Sequence, residues 1–359
     1  MYGGDNVMNE TEFFKAIADL INSARRHAEK SVNTAMVVTY YEIGRRIVEK
    51  EQGGEKRAKY GQHLLQELSK YLTDNIGKGY SVQNLRLFRQ FYMEYSDSQI
   101  RQTMFSELTN SDLQISETVF SKFSPAISWS HYIKLMRIKD LKERRFYEVE
   151  IADNNWSLSE FRRQFDTSLY ERLALSRDKD KVRELSQKGQ RLETPGDLFK
   201  EPYVLEFTGL SERAEYSESD LEQRLIDHLQ KFMLELGKGF AYMGRQVRIT
   251  YSEKHFWVDL VFYNRLLRCF VLIDLKLGEI SHNDTGQMQT YVNYYDRKIK
   301  MSDENPTIGI VLCKDKDDAL VEMMLPEDNN QIFAARYQTI LPSKEELRKA
   351  LEWTDTEEE

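Results

Sequence analysis

Residues 255–278 read HFWVDLVFYNRLLRCFVLIDLKLG and contain the pattern that decides the fold of the carboxyl-terminal half. Two apolar runs, His255–Tyr263 and Arg268–Leu275, have the length and composition of buried strands. The second run ends with Asp274, and Lys276 follows two positions later. Because side chains alternate across a strand, both point to the same face. The stretch therefore predicts two adjacent strands, with an acid and a base at the end of the second.

Asp259 interrupts the first of these strands. Val258, Leu260 and Phe262 form one apolar face, and Asp259 stands on the other. A carboxylate inside an apolar strand costs several kcal/mol of desolvation unless it is paired or bound to a metal. Asp259 and Asp274 on neighbouring strands therefore suggest a shared site.

Glu222 is the third candidate acid. It lies at the edge of the apolar stripe on a predicted helix, Asp220–Leu236, whose stripe faces the sheet. The same residue also completes a Ser-x-x-Glu pattern with Ser219, so it could instead cap the start of the helix. Both interpretations stay open from the sequence.

Gln287 and Tyr291 lie four positions apart on the next predicted helix, Asp284–Lys298. This spacing projects both side chains from one side of the helix. By itself the pair indicates no particular function.

The chemistry that suits these acids is phosphodiester hydrolysis. Two or three carboxylates can hold Mg²⁺ while leaving positions for water and a substrate phosphate. We expect Asp259 and Asp274 to be metal ligands, and Glu222 to be an auxiliary ligand or a water contact. Lys276 would stand beside the attacking water, to position or deprotonate it and to offset developing negative charge.

The order of predicted elements indicates two domains. Up to about Arg172 apolar residues recur every three or four positions, which predicts an all-helical domain over residues 1–173. A charged stretch at 174–200, broken by Pro195 and Gly196, is predicted to be a linker. Residues 201–345 follow in the order αβββαβ, an α/β domain, and residues 346–359 form an acidic tail.

The helical domain contains a helix-turn-helix candidate around Gly77 and Gly79, with Ser81 as the N-cap of its second helix. That helix is expected to bury one face, including Val82, Leu85, Phe88 and Tyr92, and to present polar side chains on the other. The side chains predicted to reach DNA are Gln83, Arg86, Arg89 and Gln90. The alternative is a solvated face of a helical bundle.

A second candidate runs from Asp140 to Arg172, with Ser157 and Glu160 predicted to form a capping box. Arg162 and Arg163 follow and are candidate DNA contacts. An ordinary helical hairpin, or subunit association through this half, explains the same pattern.

Composition limits the other functional classes. Hydrophobic residues make up 40% and charged residues 31% of 359, which is typical of a globular chain. Net charge is −8, so affinity for nucleic acid would need a local basic patch. Cys269 and Cys313 have no metal-binding spacing, and the start of the chain lacks a signal-peptide layout. We expect a cytoplasmic protein without a membrane span and, lacking phosphate-binding glycine motifs, without a nucleotide cofactor.

At the acidic residues the sequence resembles the PD-(D/E)XK nuclease superfamily, and more closely its YhcG-type branch. The superfamily pattern of a helix acid, a strand Asp and a (D/E)-x-K triplet is matched by Glu222, Asp259, and Asp274 with Lys276. The branch also has a Gln-x-x-x-Tyr pattern, here Gln287 and Tyr291, which flanks the active site in such proteins. Three segments of the helical half also resemble the branch: GKGYSVQNLRLFRQFY from Gly77, ISWSHYIKLMRI from Ile127 and NNWSLSEFRRQ from Asn154. One departure is Val258, where the superfamily name has proline.

This resemblance implies a restriction-endonuclease-like α/β domain with all six matched residues in a catalytic site. It implies a bacterial-type, Mg²⁺-dependent endonuclease acting on DNA, with Mn²⁺ able to substitute, in genome defence or DNA processing. Cutting both strands of a duplex with one site per chain would favour a homodimer. Two alternatives stay open: a catalytically silent DNA-binding or assembly module, and a nuclease directed at RNA.

Overall fold

The structure is a computed structural model that describes residues 10–52, 59–96, 123–176, 179–211, 216–251, 253–326, 328–341 and 343–349. The chain divides into two compact units, residues 1–161 and 162–359. The prediction of a helical half followed by an α/β half is confirmed. Most of the predicted acidic tail lies outside the described residues. No helix in the ranges given above is long and apolar enough to cross a membrane.

All the regular elements in the described residues of the first unit are helices. Its helices are α1 (Glu10–Gln52), α2 (Lys59–Asn75), α3 (Val82–Tyr95), α4 (Trp129–Leu135) and α5 (Leu141–Asn154), and α6 (Leu158–Asp166) begins in it and ends in the second unit. Gly77 and Gly79, with φ angles of 122° and 116°, form the turn between α2 and α3. The Ser81 side chain accepts a hydrogen bond from Asn84 N at 3.3 Å, so the predicted N-cap is confirmed.

Helix α1 packs closely on α3 because of Gly44. A Cβ atom at Gly44 would lie 2.0 Å from the Phe88 carbonyl oxygen, so only glycine permits this approach. The core beside it contains Ile47, Leu65 and Leu85. The buried face of α3 therefore packs in the core of the helical unit, and only the opposite face could contact a partner.

The second unit contains a six-stranded sheet. Its helices are α7 (Leu169–Leu175), α8 (Lys179–Lys188), α9 (Glu218–Asp227), α10 (Leu229–Leu236), α11 (His282–Tyr294) and α12 (Asp318–Met324), with 3₁₀ turns at Pro195–Leu198 and Glu206–Thr208 and a π turn at Tyr295–Ile299. Its strands are β1 (Tyr203–Val204), β2 (Phe240–Tyr251), β3 (Lys254–Asn264), β4 (Cys269–Leu275), β5 (Ile308–Cys313) and β6 (Ile332–Gln338).

Strands β2, β3 and β4 form an antiparallel meander, and β4, β5, β6 and β1 continue the sheet in parallel. The order across the sheet is β1-β6-β5-β4-β3-β2. Both faces are covered: one core contains Leu221 and Phe232 from α9 and α10, and the other contains Met288 and Val292 from α11. Strands β4 and β5 are buried along most of their length, as expected for strands between two layers. The predicted αβββαβ order is confirmed, with β1 and β6 added at one edge.

Three predicted elements differ in detail. The helix expected over Asp220–Leu236 is two helices that meet at His228, and it starts after Ser217. The apolar pattern of residues 246–251 predicts the first of the three consecutive strands to start near Gln246, and the structure starts it at Phe240. The stretch predicted to be a linker, 174–200, contains α8 and a 3₁₀ turn, and Leu198 and Lys200 in it are buried in the second unit.

A fully buried ion pair joins α7 to α10 in the second unit. The Arg172 guanidinium donates to the Glu235 carboxylate and also to the Pro202 carbonyl oxygen, at 2.9 Å. Burial alone would raise the pKa of Glu235, but Arg172, Lys200 and Arg163 together hold it below its ordinary value. Glu235 Oε1 also accepts a hydrogen bond from Val204 N at 2.9 Å, which ties the edge strand β1 to the same carboxylate.

We expect Arg172→Ala to lower the free energy of unfolding by about 3–5 kcal/mol, because it leaves a buried carboxylate without its main partner. The control is Arg265→Ala, at an exposed arginine, with an expected change within about 0.5 kcal/mol. Urea denaturation followed by circular dichroism measures both. Equal effects of the two substitutions would contradict a structural role for the pair.

Candidate active site

Asp259 and Asp274 face each other on neighbouring strands. The antiparallel register of β3 and β4 ends at the pair Leu260 and Ile273, and the two acids directly follow that pair, one on each strand. Asp259 Oδ2 accepts a hydrogen bond from the Leu275 amide at 2.8 Å. The two carboxylates predicted to share a site therefore lie together, at the carboxyl end of β4.

Asp274 is buried with only 2% of its surface exposed. Burial first, and then the nearby Asp259 carboxylate, raise the pKa of Asp274 to about 7, against the lowering effect of Lys276. Its Oδ2 atom lies 2.9 Å from Lys276 Nζ, yet no donor in the described part of the chain meets it with hydrogen-bond geometry. Asp274 thus has an ionic neighbour and an oxygen that is still open to a further ligand.

Lys276 stands among three carboxylates. Its Nζ atom is 2.9 Å from Asp274 Oδ2, 3.7 Å from Asp284 Oδ1 and 4.0 Å from Glu218 Oε2. Burial lowers the pKa of Lys276, but these acids outweigh it and raise the pKa above its ordinary value. Lys276 is therefore protonated at neutral pH, which favours a role as a fixed cation over a role as a base that takes a proton from water.

Glu222 does not cap its helix. The cap is formed by Ser217 and Asp220, whose side chains bond each other's backbone N–H groups at 3.1 and 2.8 Å. Glu222 is 7% exposed, and burial is the largest cause of its raised pKa. The capping interpretation of Glu222 is therefore wrong, and its carboxylate is directed to the Asp259 side of the sheet.

Gln246 links Glu222 to Asp259, and the sequence pattern did not identify it. Its Nε2 atom donates to Glu222 Oε2 at 2.6 Å and to Asp259 Oδ1 at 3.0 Å. Gln246 has a φ angle of 47°, in the left-handed region that non-glycine residues rarely adopt. Such a conformation within a strand costs free energy and is often found at functional sites. Nothing in its residue type or spacing distinguishes it from an ordinary polar strand residue.

Tyr291 and Gln287 support the site from α11. Tyr291 is fully buried and its hydroxyl donates to the Trp257 carbonyl oxygen at 2.8 Å, while it accepts a hydrogen bond from Gln287 Nε2. Burial is the largest cause of the raised pKa of Tyr291, and Asp274 and Asp259 add to it. The chain thus holds Tyr291 as a positioning residue that joins β3 to α11, and Gln287, which is half-buried, is the more accessible of the two.

The candidate DNA-binding side chains fall into two groups. Gln83, Arg86 and Arg162 are exposed. Arg89 and Gln90 are half-buried, and Arg89 Nη1 lies 3.0 Å from Glu51 Oε1.

Arg163 is directed into the second unit. Its Nε atom lies 3.3 Å from Glu206 Oε1, and its guanidinium stacks 5.3 Å above the Phe207 ring. The expected outward presentation therefore does not hold for Arg89 and Arg163, because each is paired with a glutamate of its own unit.

The donor set fits a divalent cation held by two acids. No group of three or more His, Cys, Asp or Glu side chains converges on one point among the residues described. Glu222 meets Asp259 through the Gln246 amide. Because Mg²⁺ is commonly bound by one or two carboxylates plus waters and substrate oxygens, Asp259 and Asp274 suit it as direct ligands. The raised pKa of the buried Asp274 and its open oxygen support this assignment, and Glu222 fits the role of a water contact better than that of a ligand.

Two family models match the chain. Residues 196–352 match the YhcG PDDEXK nuclease domain, and residues 16–172 match the DUF1016 N-terminal domain. Each match falls largely within one of the two compact units.

The chain is also similar to a curated protein of Escherichia coli (strain K12) named "Putative nuclease YhcG". The two are 42% identical over 347 residues, which cover 93% of this chain and 92% of that protein. A solved structure, a repair endonuclease from Pyrococcus abyssi, shows 14% identity over 36% of this chain and 50% of its own chain. Its TM-score of 0.26 is too low to indicate a shared fold.

The acidity of Asp274 predicts a pH-dependent stability. Its carboxyl binds the proton more tightly in the folded state than in the unfolded state, where the pKa is 3.8. Its stabilising contribution is therefore complete below about pH 4 and is lost as pH rises through 7. Asparagine resembles the protonated form, so we expect Asp274→Asn to gain stability relative to the native chain by about 2 kcal/mol between pH 5.5 and pH 8.5.

Thermal unfolding in EDTA at the two pH values measures this difference. Asp303→Asn, at an acid that is 69% exposed, is the matched control and should show no such pH dependence. If Asp274→Asn lowered the melting temperature equally at both pH values, the raised pKa of Asp274 would be contradicted.

Proposed function

The chain belongs to the YhcG family of PDDEXK nucleases, and we propose that it is a Mg²⁺-dependent endonuclease that hydrolyses phosphodiester bonds of DNA. The observation that carries the proposal is the pairing of Asp259 with the buried Asp274, beside the cationic Lys276. Mn²⁺ is proposed to substitute for Mg²⁺, because both accept carboxylate and water ligands.

Asp259 and Asp274 would hold the cation through their carboxylate oxygens. When bound, the ion polarises the scissile phosphate and lowers the pKa of a coordinated water. Glu222 and Gln246 form a hydrogen-bonded arm beside Asp259, which restrains the orientation of that carboxylate. The cost of holding Gln246 in a left-handed conformation supports a role for this arm beyond packing.

Lys276 is proposed to stabilise the charge that develops on the phosphate. Its ammonium group is fixed by Asp274 on one side and faces Asp284 and Glu218 at longer distances. A cation held in place before the reaction needs little reorganisation when negative charge accumulates on the phosphoryl oxygens. Its raised pKa supports this role and disfavours proton removal from water.

DNA binding is proposed for the helical unit, through Gln83 and Arg86 of α3. Arg162 of α6, which belongs to the second unit, is proposed separately as a phosphate contact. These side chains are exposed on helices whose other residues are packed. A homodimer is proposed because one site per chain cuts one strand at a time. The exposed apolar side chains Phe13, Ile17 and Leu20 share one face of α1 and are 51%, 41% and 70% exposed, so they offer a surface for such association.

Cleavage assays test the proposal. Purified protein is incubated with plasmid, linear duplex, single-stranded DNA and single-stranded RNA, in Mg²⁺, Mn²⁺ or EDTA. We expect metal-dependent cutting of DNA, reduced at least about 100-fold by Asp274→Asn and by Lys276→Ala, because each removes a group that stabilises the transition state.

Asp303→Asn and Lys298→Ala are matched controls at exposed positions and should retain full activity. Cutting that survives both active-site substitutions would place the activity elsewhere. Preferential cutting of RNA would replace the proposed substrate, and DNA retention without any cutting would favour a binding module.

A further inference from the structure

A cavity of about 450 Å³ opens at the carboxyl ends of β4, β5 and β6 in the second unit. The residues that matter for its chemistry are Tyr216, Glu279, Lys314, Arg336, Tyr337 and Gln338. Crevices at the carboxyl ends of parallel strands are common ligand sites in open α/β sheets. The volume lies within the range of pockets that hold small organic molecules.

The cavity adjoins the acidic site through two of its walls. Leu277, which lines it, directly follows Lys276 in the chain. Tyr216 lines it from the other side and precedes the cap of α9, whose Glu218 carboxylate lies 4.0 Å from Lys276 Nζ. A group bound in the cavity would therefore be a near neighbour of a phosphate held at Lys276.

Three buried polar atoms of the lining residues lack a well-formed hydrogen bond. The Oε1 atom of Gln338 has no partner among the described residues, and the hydroxyls of Tyr216 and Tyr337 have only each other, at poor hydrogen-bond geometry. Tyr337 is only 2% exposed, and burial followed by the neighbouring Tyr216 hydroxyl raises its pKa, so it is protonated and able to donate at neutral pH. Buried polar groups without partners are rare in folded proteins and call for an explanation such as a ligand.

The charges of the side chains that line the cavity sum to zero. Lys314 and Arg336 are balanced by Glu279 and Asp315, and Arg336 Nε lies 2.6 Å from Glu201 Oε1. A lining of zero net charge gives no general attraction for an anion. Together with two tyrosine rings and unsatisfied donors and acceptors, it favours a neutral, planar ligand with hydrogen-bonding edges.

We propose that this cavity receives a nucleobase of the substrate strand, unstacked from its neighbours next to the scissile phosphate. The proposal rests on the proposed function, since it takes the phosphate at Lys276 as the anchor of the strand. Tyr216 and Tyr337 provide aromatic surface for the base, and Gln338 Oε1 accepts a hydrogen bond from a base amino or imino group. Enzymes that bind single nucleotides out of the stack use this combination of aromatic contact and edge recognition.

Binding of nucleotides in EDTA tests the cavity without requiring cleavage. The full chain is titrated with each of the four deoxynucleoside 5′-monophosphates and with 2-deoxyribose 5-phosphate, which lacks the base, and binding is followed by saturation-transfer NMR. We expect at least one nucleotide to bind ten or more times more tightly than the sugar phosphate. Tyr337→Phe and Gln338→Met should each lower the affinity for that nucleotide at least fivefold.

Gln338→Met removes an unsatisfied polar atom, and Tyr337→Phe removes a hydroxyl whose only neighbour is that of Tyr216, so the melting temperature should change little. Tyr251→Phe, at a tyrosine that is 65% exposed, is the matched control and should bind like the native chain. Equal binding of sugar phosphate and nucleotides, or full binding by both variants, would overturn the proposal. Plasmid cleavage is assayed in parallel. Cleavage without base-dependent binding would overturn only the proposed role of the cavity. Base-dependent binding without cleavage would support base binding in the cavity and contradict the nuclease function.

Discussion

The interaction on which the site depends is the close approach of two carboxylates on neighbouring strands, the half-buried Asp259 and the buried Asp274. Asp259 and Asp274 are brought together by the β3–β4 register, and burial of Asp274 makes its charge costly enough to raise its pKa to about 7. Apolar cores cover both faces of the sheet that carries the pair. Two carboxylates held this close are stabilised by nearby positive charge. Lys276 supplies part of that charge, and a bound divalent cation would supply the rest.

The surrounding residues serve this pair in different ways. Gln246 restrains Asp259 and Glu222 from the strand side, and Tyr291 fixes the start of β3 against α11 by its bond to the Trp257 carbonyl. The Arg172–Glu235 pair joins α7 to α10, and Glu235 also binds β1, so it stabilises the domain rather than the site. The site itself is supported from β2 and α11, which carry none of the proposed ligands.

Much of the site was predictable because strand alternation and hydrophobic burial act over short distances. Asp259, Asp274 and Lys276 stood out as charges in apolar strands, and the structure brings them together. The expected common face of Val258, Leu260 and Phe262 is wrong, because Val258 packs in the core on the other side of the sheet. Gln246 was missed because its role depends on a left-handed backbone conformation that its residue type does not signal. The cap of α9 was assigned two residues too late, because Ser217 with Asp220 and Ser219 with Glu222 both satisfy the pattern.

The sequence predicted the helices of the helical half well, but it predicted less well which polar side chains on them are accessible. Ser81, Gly77 and Gly79 mark the turn between α2 and α3 because capping and positive φ angles have local sequence signals. Pairing of Arg89 with Glu51 and of Arg163 with Glu206 has no such signal, since each partner is distant in sequence. Periodicity identifies which face of a helix is polar, but tertiary contacts decide which of its charges remain accessible.

The most direct measurement of the central claim is calorimetric titration of the native chain with Mn²⁺ at pH 6 and pH 8. If Asp259 and Asp274 hold the ion together, binding should be about tenfold weaker at pH 6, because Asp274 must lose its proton first. Asp259→Asn and Asp274→Asn should each abolish binding, and Asp303→Asn should preserve it. Binding that is independent of pH, or that survives loss of either acid, would contradict the account.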